Sequence, residues 1–414
     1  MAPQPIASKS LSWQQTFVAL KHRNYRLWFV GQTVSLIGTW MQTTAQGFLI
    51  FQLTHSSVYL GYVGFASGLP SWLFMLYGGV IADRVPRRNL IVITQSMMMI
   101  LAFILAALTF LKVVQPWHII ILAFLLGTAN AFDAPARLAL VPELVEREDL
   151  SNAIALNASM FNMGTVIGPA IAGVAYALAG PAWCFTFNGV SFLAVIAALL
   201  LMRLPPHIFK PRITSALSDI KEGIRYILAN DIIRTVITIV AVTSLFGLAL
   251  VTLMPAWAVK ILGGDATTNG WLQSARGMGA LAGALMVASL VHFKVKGKLV
   301  TIGSFVLPLC LLLFTFMRWL PLSLAALAGA GLGMIMIFNS SNALVQSQIP
   351  DELRGRVMSV YSLIFFGSMP LGALMAGSIA GFIGEPLTGI FCATVALIFA
   401  IVIWIFVPKL RQLE

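Results

Sequence analysis

The feature that most limits what this chain can fold into is a series of twelve long apolar runs separated by short polar stretches. They lie near residues 26–52, 58–82, 89–111, 117–138, 152–178, 182–202, 232–258, 269–291, 299–316, 320–346, 357–383 and 387–407. A helix that crosses the hydrocarbon core of a bilayer needs about 20 mostly apolar residues, and the runs are of about that length or longer. A β-barrel would instead show alternating segments of about ten residues. Composition agrees, since only 10% of the 414 residues are charged and 59% are hydrophobic, against about 25% charged in soluble domains. The expected fold class is an all-α membrane protein with twelve transmembrane helices. Gly and Pro inside the runs are tolerated where neighbouring helices re-satisfy the backbone.

A net charge of +12 would suit a nucleic-acid partner if the cations formed a patch, but they do not. With a cytoplasmic N-terminus, the inner segments hold 22 of the 26 Lys and Arg residues, the outer loops hold Lys112, Lys260 and Arg318, and Arg276 falls inside a run. Cytoplasmic loops carry such an excess, so both termini are expected in the cytoplasm and no nucleic acid is expected as a partner. The first 23 residues lack the apolar core and cleavage site of a secretory signal. Leu11, Phe17, Val18 and Leu20 there suit a short helix on the membrane surface.

The chain also divides in two. Residues 1–205 hold six runs, 231–414 hold six more, and 206–230 form the longest polar connection. Within that linker Leu217, Ile220, Ile224 and Ile227 follow helical spacing, which predicts an amphipathic helix resting on the membrane between the halves. The halves echo each other: "GPAIAG" at 168–173 parallels "GALMAG" at 372–377, and "VPELVEREDLSNAIAL" parallels "IPDELRGRVMSVYSL". Repeats of six spans occur in several secondary-transporter folds.

Between runs 2 and 3 the chain reads "GGVIADRVPRRN", in which Gly79, Asp83, Arg84, Arg87 and Arg88 fit G-x-x-x-D-R-x-x-R-R. With twelve spans in two halves, this resembles the major facilitator superfamily over nearly the whole chain. Pro86 stands where the common signature has Gly. The matching loop of the second half, "VHFKVKGKL", keeps basic residues and lacks the acid. "LIGTWMQTTAQGFLIFQLTHSS", "AFDAPARLALVPELV" and "NAIALNASMFNMGTVIGPAIAG" resemble the enterobactin-exporter-like branch, which also contains macrolide and drug efflux proteins. In the last phrase Gly164, Gly168, Pro169 and Gly173 follow the span 5 pattern of proton-coupled antiporters. The resemblance implies a major facilitator fold and export of a small organic molecule, siderophore or drug-like. Gly47 departs from it, standing where related sequences are expected to carry an acid.

Several residues could do the work. Asp83, at the end of run 2, could sit against the N-terminus of run 11 near Val357, where the helix dipole favours negative charge. Asp133 could pair with Arg87, or with Arg137 one turn away. Such pairs would latch the cytoplasmic side shut; the plainer alternative is that the arginines only fix orientation. Gln32, Ser35, Thr39, Gln42 and Gln46 recur at steps of 3, 4, 3 and 4, and Asn339, Asn342 and Gln346 form a similar row in run 10. These rows must face protein or a wet cavity. The resemblance implies substrate contacts, while hydrogen bonding between packed helices also fits. Arg276 lies roughly 10 Å from the outer end of run 8 at 1.5 Å per residue. An intramembrane charge is by default a functional candidate; attracting an anionic substrate and snorkelling to the interface both remain open. The glycine pairs 164/168, 279/283 and 329/333 suit close helix approach.

No phosphate-binding GxxxxGK[ST] is present, so the expected energy source is a proton gradient with no cofactor, and facilitated diffusion or uptake stands as the alternative. The five histidines are scattered and the three cysteines lie far apart inside runs, so neither a metal site nor a membrane-embedded enzyme is expected. The expected partners are a small-molecule substrate and the lipid bilayer, with the chain acting as a monomer.

Overall fold

A computed structural model describes residues 17–204, 216–290 and 295–413. Six helices form the first half: α1 (Arg23–Thr54), α2 (Ser57–Arg84), α3 (Arg87–Phe110), α4 (Pro116–Leu140), α5 (Leu150–Ala179) and α6 (Pro181–Leu201). The linker helix α7 (Ala216–Ala229) follows. The second half holds α8 (Asp231–Ile261), α9 (Ala266–Ser289), α10 (Lys296–Phe316), α11 (Leu320–Gln348), α12 (Asp351–Ile383) and α13 (Glu385–Phe406). Among the described residues nine of these are long and apolar enough to cross a membrane, or ten with the bent α2 counted as one. The two others of spanning length, α1 and α9, are the helices that carry the glutamine row and Arg276.

Helix ends follow local chemistry. Gly180 (φ 89°) precedes Pro181 and Gly384 (φ 83°) precedes Glu385 and Pro386, so each half ends its fifth helix on a glycine that tolerates positive φ. Asn230 caps α8 by accepting from the Ile233 amide, and Asp265 caps α9 by accepting from Thr267 and Thr268. Helix α8 is irregular, with π turns at Thr243–Gly247 and Trp257–Ile261.

The packing repeats between halves. Helix α1 lies on α5 and α6, α2 on α4, and α3 on α4 and α6; likewise α8 lies on α12 and α13, α9 on α11, and α10 on α11 and α13. The halves meet where α2 crosses α12 and α5 crosses α9. The linker helix expected from the sequence also has a protein partner. Gly223 of α7 lies against the Arg356 carbonyl of α12, Glu222 pairs with Arg356 at 2.6 Å, and Ile227 is buried in the second half's core. So α7 packs on α12, with Ile224 left exposed. Linker residues 206–215, most of the expected N-terminal surface helix, and residues 291–294 of the second-half loop lie outside the described residues. Val18–Lys21 forms a single 3-10 turn.

Candidate functional site

The two ends of the molecule differ. At the end that carries His55, Gly263 and Gly384, the halves are in contact. Gly61 of α2 lies against Gly377 and Ala373 of α12, Gly68 against Pro370, and Trp72 against Gly367. A side chain on Gly377 would begin 2.6 Å from the Gly61 Cα, so glycine is required for this backbone approach. At the other crossing Gly173 lies against Ala266 and Thr267, Ser274 Oγ donates to the Val166 carbonyl at 2.7 Å, and Gly277 lies against Thr165. A buried apolar cluster also spans this end, joining Met41, Phe48, Leu60 and Tyr176 to Ala256 and Ala266.

Towards the arginine-rich end, no such close approach occurs among the described residues. Gly79 and Gly355 have nothing within 4 Å of an added Cβ. The buried core there splits in two, one part from residues 19–202 and the other from 227–410. Among the described residues the halves therefore close on each other at one end and stand apart at the arginine-rich end, which is here the open end.

The closed end carries a charged contact that the sequence did not reveal. The Glu385 carboxylate is buried, accepts from Ser57 Oγ at 2.5 Å and pairs with Lys260 Nζ at 2.7 Å. Ser57 belongs to the first half, and Glu385 and Lys260 to the second. The ammonium also lies 5.4 Å from the Phe51 ring centroid, a cation–π arrangement. Lys260, counted above only as an outer-loop cation, was the available signal; Ser57 had none.

At the open end Asp83, Asp133 and Glu143 pair with arginines of their own half, while Asp351 pairs with Arg354 in the second half. Asp83 lies 3.9 Å from Arg87, whose Nη1 donates to the Ala139 carbonyl at 3.0 Å and contacts Glu143. Asp133 is fully buried and pairs with Arg137 Nε at 2.6 Å, not with Arg87, while Thr94 Oγ1 and Gln95 Nε2 also donate to it. Arg88 donates to the Leu200 carbonyl at 3.2 Å, and Arg84 is exposed. Helix α12 begins at Asp351 after Pro350, earlier than the expected start near Val357, so its positive end already faces its own Asp351 and Glu352. Nearby, outside the spans, Lys21 Nζ and His22 Nε2 both lie 2.7 Å from Asp149 Oδ2. That hydrogen bond raises the Lys21 ammonium above its ordinary pKa.

The polar rows part company. Gln42 is buried and its side-chain oxygen accepts from Asn188 Nδ2 at 2.7 Å, while Gly38 lies against Ser191 and Asn188. Its amide thus bonds α1 to α6, which is the interhelical hydrogen bonding that stood beside a substrate contact as a reading of this row. Gln32 and Gln46 are likewise buried, and Thr39 is half-buried. In α11 Asn339 is exposed and Asn342 half-buried, accepting from Gln346 Nε2 at 2.6 Å. The span 5 pattern also divides: Gly164 and Gly168 lie against α1 at Trp40 and Ile37, whereas the Pro169 carbonyl and Gly173 lie against α9. Cys184, Cys310 and Cys392 are free, and no group of three or more potential metal ligands occurs among the described residues.

Residues 14–414 match the profile described as transmembrane secretion effector. The chain belongs to the transmembrane secretion effector family. This family places it in the major facilitator superfamily as a membrane transporter, and not an enzyme. Among curated relatives, the family member is 27% identical to the multidrug efflux pump Tap of Mycolicibacterium fortuitum, covering 91% of this chain and 94% of the relative. It is 25% identical to the staphyloferrin A transporter of Staphylococcus aureus (87% and 90% covered) and 28% identical to the enterobactin exporter EntS of Shigella boydii (89% and 88%). Its fold matches a bacterial homologue of the human lysosomal transporter Spinster, solved inward-facing and unoccupied, with a TM-score of 0.73 at 13% identity over 97% of this chain and 98% of that one.

Proposed function

We propose that this secretion effector exports a small organic molecule, of the siderophore or drug-like kind, from the cytoplasm across the cytoplasmic membrane by proton antiport. Relatives named for siderophores and for drugs span nearly its whole length. The observation that carries the mechanism is the pair of unlike ends: the halves join at one and separate at the other, which is one state of an alternating-access cycle. The basic loops rim the open end, so by the positive-inside rule that end, with both termini, faces the cytoplasm. The molecule works as a monomer, since its cavity is built from its own two halves.

In the opposite state the open end closes. Asp83 and the Arg84–Arg88 segment then latch against α12, and the Ser57–Glu385 contact parts. Proton coupling is supported by the span 5 pattern and by a sequence without a phosphate-binding loop. Everted membrane vesicles holding the full chain provide the test, with a labelled macrolide and a labelled catecholate siderophore offered outside. Uptake of at least one should collapse when nigericin dissipates the pH gradient, and Asp83→Asn should slow it. Uptake that equilibrates without a gradient would replace antiport by facilitated diffusion.

A further inference from the structure

Arg276 occupies the inward face of α9. Trp271, Met278 and Leu285, at steps of seven, are exposed along the opposite face. Asn269, Gln273 and Arg276 follow at i, i+4 and i+7, a spacing that stacks them on one side of a helix. Asn269 is fully buried and Gln273 nearly so. The residue is half-buried, and its Nε is buried without a hydrogen-bond partner.

The surroundings hold α9 in place. Side chains added at Gly279 and Gly331 would begin only 1.7 Å from the Ala328 carbonyl oxygen and 2.0 Å from that of Arg276. On the other side Gly277 lies against the Thr165 carbonyl of α5. The helix is thus clamped between α5 and α11 at the level of Arg276, where the closed region gives way to the open one. Among the described residues no carboxylate pairs with this guanidinium. The nearest acid on its own helix side, Asp265, lies about 16 Å away along the axis.

The amides beside it are arranged as donors. Gln273 Nε2 donates to Asn269 Oδ1 at 3.3 Å, and Asn269 Nδ2 is buried with no acceptor. Three features coincide among the described residues: a cation on a clamped stretch of helix, an unfilled buried amide donor about two turns away along the axis, and no internal counter-charge. A partly buried charge without a partner carries a desolvation cost, and an unfilled buried donor adds to it. A ligand that brings an anionic oxygen relieves both at once. The planar guanidinium fork matches a carboxylate in particular.

We propose that Arg276, with Asn269 and Gln273, forms an oxyanion site at the blind end of the cavity that binds a carboxylate or ionised phenol of the exported molecule. The proposal rests on the transport reading above but makes a claim about binding that needs no proton gradient.

The test is thermal unfolding of the purified full chain in detergent, with benzoate and with benzamide, its neutral match in shape. Benzoate at ten times its dissociation constant should raise Tm by about 2–4 °C, and benzamide should leave it unchanged. Arg276→Gln should abolish the benzoate shift, and Asn269→Ala should weaken binding about tenfold. Without ligand Arg276→Gln should unfold at the same temperature or higher, because it removes an uncompensated charge. A lower Tm would mean that Arg276 has a structural partner, and equal responses to benzoate and benzamide would mean that no oxyanion is recognised; either result overturns the proposal. Loss of gradient-driven export in vesicles with the benzoate shift intact would count against antiport alone.

Discussion

The two ends of the molecule use charge in opposite ways. At the open end, Asp83, Arg87 and Glu143 and the Asp133–Arg137 pair all belong to one half. At the closed end Ser57 donates across the interface to Glu385, which Lys260 holds from its own half. A contact inside a half is kept when the halves rock, so it stabilises the fold; a contact between halves is made and lost, so it sets the balance of states. Charge at the two ends therefore answers to different measurements.

Asp133→Ala should give the largest effect. It removes a fully buried carboxylate and strands Arg137, a kind of change that costs about 3–5 kcal/mol. Thermal unfolding should show a large drop in Tm, and spin-label distances across the two ends should keep their proportions in whatever folds. A changed ratio of inward to outward populations at unchanged Tm would break the comparison.

Glu385→Gln should act the other way round. A hydrogen bond to a charged group contributes about 1.5–3 kcal/mol, so weakening it should shift the balance away from the closed outer end by roughly tenfold or more. Distances between labels on α2 and α12 would widen at that end while Tm moved little. The smallest effect is expected for Ser57→Ala, which leaves the Lys260 pair intact and removes one donor, at about 1 kcal/mol or a fewfold shift. If Ser57→Ala matched Glu385→Gln, the interhalf hydrogen bond alone would carry the latch.

The helical architecture was legible because each span must satisfy its own backbone in lipid, which writes about 20 apolar residues into the sequence wherever a helix crosses. The repeat was legible too: Gly173 and Gly377, which match at an offset of 204, each sit at a crossing between halves. Residues at the site were harder to read, since spacing along one helix says which face a side chain is on and not what lies opposite. Gln42 and Thr39 share one row, yet the first bonds Asn188 and the second stays half-buried. Asp133 could reach two arginines by sequence, and the one on its own helix turn took it. Glu385 escaped notice because Ser57 lies 328 residues away. The π turns of α8 were also silent, since a run of apolar residues looks alike at 3.6 or 4.4 residues per turn.

Those turns make α8 a ruler with inserted divisions. Each π turn adds a residue without a full step of rotation, so the helix beyond it is out of phase with the helix before it. Lys260 meets Glu385 only in the register that results. Deleting one residue from Thr243–Gly247 would let that turn close as regular α-helix and leave Lys260 nearly in place. Inserting one beside it, where no wider turn absorbs the step, would turn everything downstream by about 100° and swing the ammonium off the carboxylate while every side chain named at the latch remained present. Whether this end can close is thus written partly in a count of residues some four turns away from the charges that close it.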